Sequence, residues 1–268
     1  MINKTVIKRK KGIKLRDPIL IVGLPGIGNV GKLVAEHLKR EFGSERIATM
    51  YSPHFPHNVI MLKNGGIRLI SNRFYLIKTK KRQNDIVLLT GDVQAITPEG
   101  QYETNSMIVD FFKNGLGGKF IYTIGGYSIG EPVVGNPRVF GNATDKSVKS
   151  QFKNTDVIFG KSKGAIWGSA GLIIAFAKMQ KIEGICLMGE TNFLDVDAGA
   201  AKAVIMQLAK KLNLKIDTTK LDKIIKKTAT ALKEMERQSN LINLGQQVQI
   251  PVSGLPPSGE REKPSYIR

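Results

Sequence analysis

The stretch ILIVGLPGIGNVGKLVAEHL, residues 19–38, decides how the rest of the chain is read. ILIVG at 19–23 is a short apolar run rich in β-branched residues, and Val30, Leu33, Val34 and Leu38 then recur at helical spacing. An apolar run, a glycine turn and a 3.6-residue period together predict strand, tight turn and helix. The turn satisfies two phosphate-binding patterns at once. Gly26, Gly28 and Gly31 fit G-x-G-x-x-G, while Gly26 through Lys32 fit the first seven places of G-x-x-x-x-G-K-[ST].

Neither pattern is completed. A dinucleotide site needs a carboxylate about 20 residues on, at the end of the second strand, to hold the ribose. Here that region reads RIATMYSPHF, and Glu41 and Glu45 precede the strand. The Walker pattern fails at its last place, where Leu33 replaces the hydroxyl that would hold magnesium, although Asp92 after IVLLTG is a candidate downstream acid. Glycine has a simpler use. It permits a sharp strand-to-helix turn and lets a helix approach a sheet closely, with no ligand required.

Working outward, further apolar runs at 58–62, 86–90, 120–124, 156–159 and 185–188 read as strands, and 67–77 as one longer antiparallel strand or hairpin arm. Helical patterns fall at 99–114, at 168–180, at 198–212 and at about 219–237. The second of these is apolar nearly all round, which predicts burial. Strands alternating with helices argue for a layered α/β domain on a mixed, mainly parallel sheet. In such a sheet the ends at Gly23, Gly91-Asp92, Gly125-Gly126 and Gly189-Glu190 share one edge, where a crevice is expected.

The 268 residues carry a net charge of +19, and position matters more than total. Residues 1–16 hold seven Lys/Arg and no acid, 63–82 hold seven and none, and 202–237 hold ten against four acids. These runs lack the interleaved aromatics of single-strand binders and any zinc-finger or RNP-like pattern, which argues against nucleic acid as the partner. No apolar run approaches a membrane span, and no apolar stretch follows the basic start, so a cytoplasmic address is expected. Residues 1–16 are expected as a basic arm, 17–237 as one α/β domain, and 238–268, rich in proline and glycine, as a flexible tail.

Other chemistry is thin. His54 and His57 are interrupted by prolines and lack a third metal ligand, so no metal site is expected. Asp197 stands before AGAAKAV as a helix N-cap, with Asp195 just outside it. Cys186 in GICLM reads as core. No nucleophile with a base can be assembled, and no G-x-S-x-G is present.

Four blocks in order do carry a resemblance. VGLPGIGNVGKLVAEHL (22–38), TPEGQYE (97–103) with IYTIGGYSIGE (121–131), WGSAGLIIAFAKMQKIEGICLMGET (167–191) and DAGAAKAVIMQL (197–208) resemble the archaeal branch of the proteasome assembly chaperone family over roughly residues 15–235. The resemblance implies a three-layer α/β/α domain similar to nucleoside phosphorylase and hydrolase folds. It also implies a homo-oligomer, trimer to pentamer, that binds proteasome α subunits, with no catalysis and no cofactor. Some relatives bear an ATP-grasp-like label, for which no residue set is found here. Gly26, Gly28, Asn29, Gly31, Thr97, Glu99, Tyr102, Gly125, Gly126, Glu190 and Thr191 match family motif positions. Gly26, Gly28, Asn29, Gly31, Lys32, Glu99, Tyr102 and Glu190 are therefore the candidate residues of the strand-end crevice, the alternative being a nucleotide or nucleoside enzyme built there. Relatives of this type can also dock a C-terminus ending in hydrophobic residue, tyrosine, any residue, with the terminal carboxylate pairing with a lysine. This chain ends Ser265-Tyr266-Ile267-Arg268, so the tyrosine is third from last and the motif is displaced by one.

Overall fold

In a computed structural model, residues 3–79, 83–128, 130, 133, 135–160, 164–191, 196–231 and 234 are described. The expected tail, including Tyr266, Ile267 and Arg268, lies outside them, as does Asp195. The chain divides into two units, Met1–Ile225 and Lys226–Arg268, and of the second only 226–231 and 234 are described, all helical.

Eleven strands are described. They are β1 (Val6–Arg9), β2 (Ile19–Gly23), β3 (Glu45–Tyr51), β4 (Val59–Met61), β5 (Ile67–Leu69), β6 (Asn72–Ile77), β7 (Ile86–Gly91), β8 (Phe120–Tyr127), β9 (Val139–Ala143), β10 (Val157–Phe159) and β11 (Glu183–Glu190). The helices are α1 (Val30–Glu41), α2 (Pro98–Asp110), α3 (Lys146–Ser150), α4 (Ser169–Met179) and α5 (Ala198–Leu212), with a 3-10 turn at Ile27–Asn29, a π turn at Phe111–Gly115 prolonging α2, and a further helical stretch beginning at residue 219, as expected. Nine strands form one sheet in the order β1-β3-β6-β7-β2-β8-β11-β9-β10. Its centre, β7-β2-β8-β11, is parallel, while β1, β3, β6 and β9 join antiparallel and β10 runs parallel to β9. Helices α2 and α4 share one face, over a core of Leu20, Val22, Phe74, Leu89, Ile108, Phe112 and Ile173. Helices α1 and α5 share the other, over Ile21, Val34, Leu38, Leu88, Val204, Ile205 and Leu208. The three-layer α/β expectation holds.

The quoted stretch sits at the centre of this arrangement. ILIVG is wholly buried because both faces of β2 are covered by helices, which is why it reads as a continuous apolar run. Helix α1 crosses β2 so closely that a Cβ on Gly23 would lie 2.1 Å from the Gly31 carbonyl oxygen, and one on Gly31 2.6 Å from that of Ile124 on β8. No other residue fits either position without moving backbone.

Several expectations are corrected. The stretch 1–16, expected as a basic arm, contains an edge strand. Val6–Arg9 pairs with β3 at the sheet edge, and Thr5 N–H donates to Glu103 at 3.0 Å, ordering the basic stretch. The run at 58–62 is not a strand of the main sheet, because among the described residues β4 pairs with β5 alone in a separate two-stranded hairpin. The long strand at 67–77 is broken, since Asp92 draws in Arg68 at 2.6 and 2.9 Å and the Ser71 N–H at 3.0 Å, and the chain changes course before β6. Helix α4 is not buried all round. Ser169, Ile173, Ile174 and Ala177 face the core, whereas Ala175 is exposed and Met179 is 77 % exposed.

Replacing Gly31 by alanine is expected to lower stability by about 1–3 kcal/mol, the usual cost of overpacking. Thermal unfolding followed by circular dichroism should read a fall of several degrees in Tm, and an unchanged Tm would contradict the close approach.

Candidate functional site

The glycine turn closes on its own protein. Gly28 adopts φ +60° inside the 3-10 turn, and a Cβ there would meet Thr191 Oγ1 at 2.7 Å. Its carbonyl accepts from Asp197 N–H at 2.8 Å, and the Asn29 N–H donates to the Gly26 carbonyl at 2.9 Å. Asp197 then caps α5, accepting from Ala200 N–H at 2.9 Å and from Thr191 Oγ1 at 2.7 Å. The capping role read from the sequence is realised, and Asp197 ties the turn after β2, through its N–H, to the end of β11, through its carboxylate. Asn29 forms the left-handed N-cap of α1 at φ 48°.

A cavity of about 450 Å³ opens beside this turn at the carboxyl ends of β2, β8 and β11. This is the position at which ligands gather in open α/β sheets. Val22, Leu24, Ile124 and Met188 contribute apolar lining, and Gln94, Ser128 and Ser169 contribute polar groups. Gln94 is fixed, donating to the Pro25 carbonyl at 2.6 Å and accepting from the Ser169 N–H at 2.8 Å. Among the described residues no Lys, Arg, Asp or Glu lines the cavity.

Of the residues expected there, Gly26 and Gly31 do line it. Gly28, Asn29 and Lys32 stand in the turn or on α1 without bordering the cavity. Glu99 and Tyr102 lie elsewhere, exposed on α2, where Thr97 caps the helix by accepting from Gly100 N–H at 3.1 Å and Glu99 occupies the favoured acidic first turn. Glu190 is buried, and Arg138 holds it through its N–H at 3.1 Å, through Nε at 2.9 Å and through a further guanidinium bond. That guanidinium keeps the carboxyl below the usual glutamate range. Asp92, the possible magnesium acid, is likewise claimed by Arg68, Arg73 and the Ser71 N–H. Its carboxyl is held low by them against the opposing effect of burial.

The remaining chemistry is equally occupied. His54 Nε2 lies 3.1 Å from Glu103, and among the described residues no group of three or more His, Cys, Asp or Glu is placed to hold a metal. Burial pushes the Cys186 thiol up to about 11, which makes it inert packing. No helix of the described residues is long and apolar enough to cross a membrane.

What local sequence reading missed is an apolar surface. In the β4–β5 hairpin the outward side chains are Val59, Met61, Ile67 and Leu69, with Met61 85 % and Ile67 70 % exposed. Across the helical layer Tyr102 is 61 % exposed and packs edge-on against Phe176 at 5.7 Å. The turn sequence KNGG at 63–66 between two apolar runs was the available hairpin signal.

Because Glu190 titrates below its normal value when folded, it contributes stability that is full above about pH 4.3 and is lost as the pH falls through its depressed folded value. Acid unfolding of Glu190→Gln should accordingly show lower stability at pH 7 and a shallower acid slope than the parent. Identical slopes would contradict the Arg138 pairing.

Comparison with known proteins agrees with this geometry. Residues 20–236 match the PAC2 family. A Methanocaldococcus jannaschii protein of uncharacterised role is 38% identical over 223 residues, 82% of this chain and 84% of its own. The crystal structure of Pyrococcus furiosus PbaB, an archaeal proteasome activator, superposes with TM-score 0.81 at 38% identity over 87% of this chain and 99% of that one. That of Pyrococcus furiosus PbaA, an archaeal homolog of proteasome-assembly chaperone, shares the fold with TM-score 0.73 at 23% identity, over 91% of this chain and 97% of the other. The ATP-grasp-like label finds no support in these matches. On the family match and the identity to these relatives, the chain belongs to the PAC2 family.

Proposed function

We propose that this chain is a non-catalytic, proteasome-assembly chaperone-like binding protein that engages proteasome α subunits as a homo-oligomer, trimer to pentamer. The observation that carries the reading is the exposed apolar surface of the hairpin and of the α2–α4 layer, set beside a crevice with no ionised side chain among its described lining. Large apolar side chains gathered on a surface mark protein contacts, because their exposure to water is otherwise unfavourable. Membership of the PAC2 family and the likeness to a proteasome activator support the same partner. In this reading Tyr266, Ile267 and Arg268 form a docking element at the end of the chain, and several tails on one oligomer add avidity to weak individual contacts.

Full-length protein passed over immobilised proteasome α subunits should be retained, and deletion of 239–268 should cut retention at least several-fold. Absence of retention would overturn the partner, and retention indifferent to the deletion would overturn the tail.

A second reading is favoured by Gly125. Its φ is not left-handed, and a Cβ there would meet Ala170 at 3.5 Å and Met188 at 3.9 Å, both ordinary contacts. Packing therefore does not require glycine, and what its missing side chain does is keep the crevice open. With no lysine or arginine among its described lining, such a site takes an uncharged, nucleoside-sized molecule in preference to a nucleotide. Raised Tm with nucleosides but not nucleotides, lost in Gly125→Val, would support it. Equal silence toward both would remove it.

A further inference from the structure

We infer that the outer face of the β4–β5 hairpin docks on the α2–α4 face of a second copy of this chain, in a head-to-tail contact that repeats from copy to copy. The inference rests on the homo-oligomer part of the reading above and not on the proteasome partner.

The hairpin is patterned inside out. Val59 stands opposite Leu69 and Met61 opposite Ile67, so the two cross-strand pairs form one apolar face, and all four side chains are exposed. Between them, Ile60 packs on the core and Arg68 reaches inward to Asp92. The polar member of the hairpin is therefore turned toward the body and the apolar set toward water. A lone two-stranded ribbon is marginal in water, and one exposing four large apolar side chains calls for a cover.

The counterpart lies on the same chain. Helix α4 carries a second apolar stripe, Leu172, Ala175, Phe176 and Met179, at spacings of three and four, in which Ala175 and Met179 are exposed and Leu172 and Phe176 half-buried, Phe176 also touching the core. Tyr102 of α2 joins it through Phe176. Within one copy neither surface covers the other, since Met61, Ile67, Tyr102 and Met179 all remain open there.

Charge selects the pairing. Helix α2 bears Glu99, Glu103 and Asp110 and no base, whereas the hairpin carries Lys63 at its turn, its Arg68 being paired inward with Asp92. Two copies at +19 each repel, so contact is favoured where a local acid surface meets a local basic one. Hairpin against hairpin would place like charges together. Hairpin against α2–α4 joins apolar to apolar and basic to acidic. Two different patches in contact make a heterologous interface, and such contacts close into a ring when the rotation allows.

The test uses full-length protein, in which Cys186 is buried and does not compete for thiol reagents. Met61→Cys and Tyr102→Cys proteins, mixed in equal amounts and treated with a short bismaleimide, should yield a cross-linked species containing one of each, which neither protein alone forms. In parallel, Met61→Lys with Ile67→Glu should reduce the native mass to that of a monomer while the circular dichroism spectrum is kept. Cross-linking of Met61→Cys with itself would overturn the inference in favour of hairpin pairing. An oligomer of unchanged mass in the charged variant, or no mixed cross-link, would overturn it while leaving the homo-oligomer in place. A monomeric parent protein would overturn both.

Discussion

The approach of α1 to the central strands is the constraint on which the rest of the structure depends. With Gly23 facing Gly31, and Gly31 facing the Ile124 carbonyl of β8, the helix lies as near to β2 and β8 as backbones permit. That proximity buries Val30, Val34, Ala35 and Leu38 completely and sets the thickness of one core layer. It also fixes where the chain must turn. Gly28 takes a left-handed conformation against Thr191, and Asp197 receives the turn's carbonyl through its N–H while capping α5. One run of glycines therefore positions two helices and three strand ends.

This arrangement explains why the phosphate-like motif does not build a phosphate-like site. The carbonyl of Gly28 and the amide of Asn29 are spent within the protein, Lys32 does not border the cavity, and the buried acid nearby, Glu190, is neutralised by Arg138. The crevice that remains is apolar and uncharged among its described lining. Ionised groups elsewhere serve as ties. Asp85 accepts from the Arg16 N–H and from Lys78, pinning the approach to β2 against β6 and β7, and Asp92 holds the hairpin to the sheet. Large apolar side chains are exposed on the hairpin and on α2 and α4.

The central parallel strands and their helices were legible in the sequence because burial on both faces leaves an uninterrupted apolar run, as in ILIVG and IVLLTG. Edge elements were not. In β1 the second half of VIKR, Lys8 and Arg9, is exposed at the edge of the sheet, so the stretch passed for an arm. The division of 67–77 depends on Asp92, 24 residues beyond Arg68 and 21 beyond Ser71, which no local period encodes. Of the site, Gly31 was found because a close approach constrains residue type directly, whereas Gly26, whose missing Cβ would meet only Gln94 at 3.6 Å, was found by motif. Tyr102 and Glu190 were placed at the crevice by motif and chain position. Their actual partners, Phe176 and Arg138, come from distant segments. The composition of α4 correctly announced an apolar helix but not that one of its stripes would stay uncovered, since that depends on what meets it from outside.

The central claim is that residues 23–31 seat a helix and hold no cofactor. A crystal structure grown in millimolar magnesium ATP tests it most directly. The account predicts the Gly28 carbonyl bonded to Asp197 and no nucleotide density at the turn. Phosphate density on the amides of 26–29, with Lys32 drawn toward it, would contradict the account.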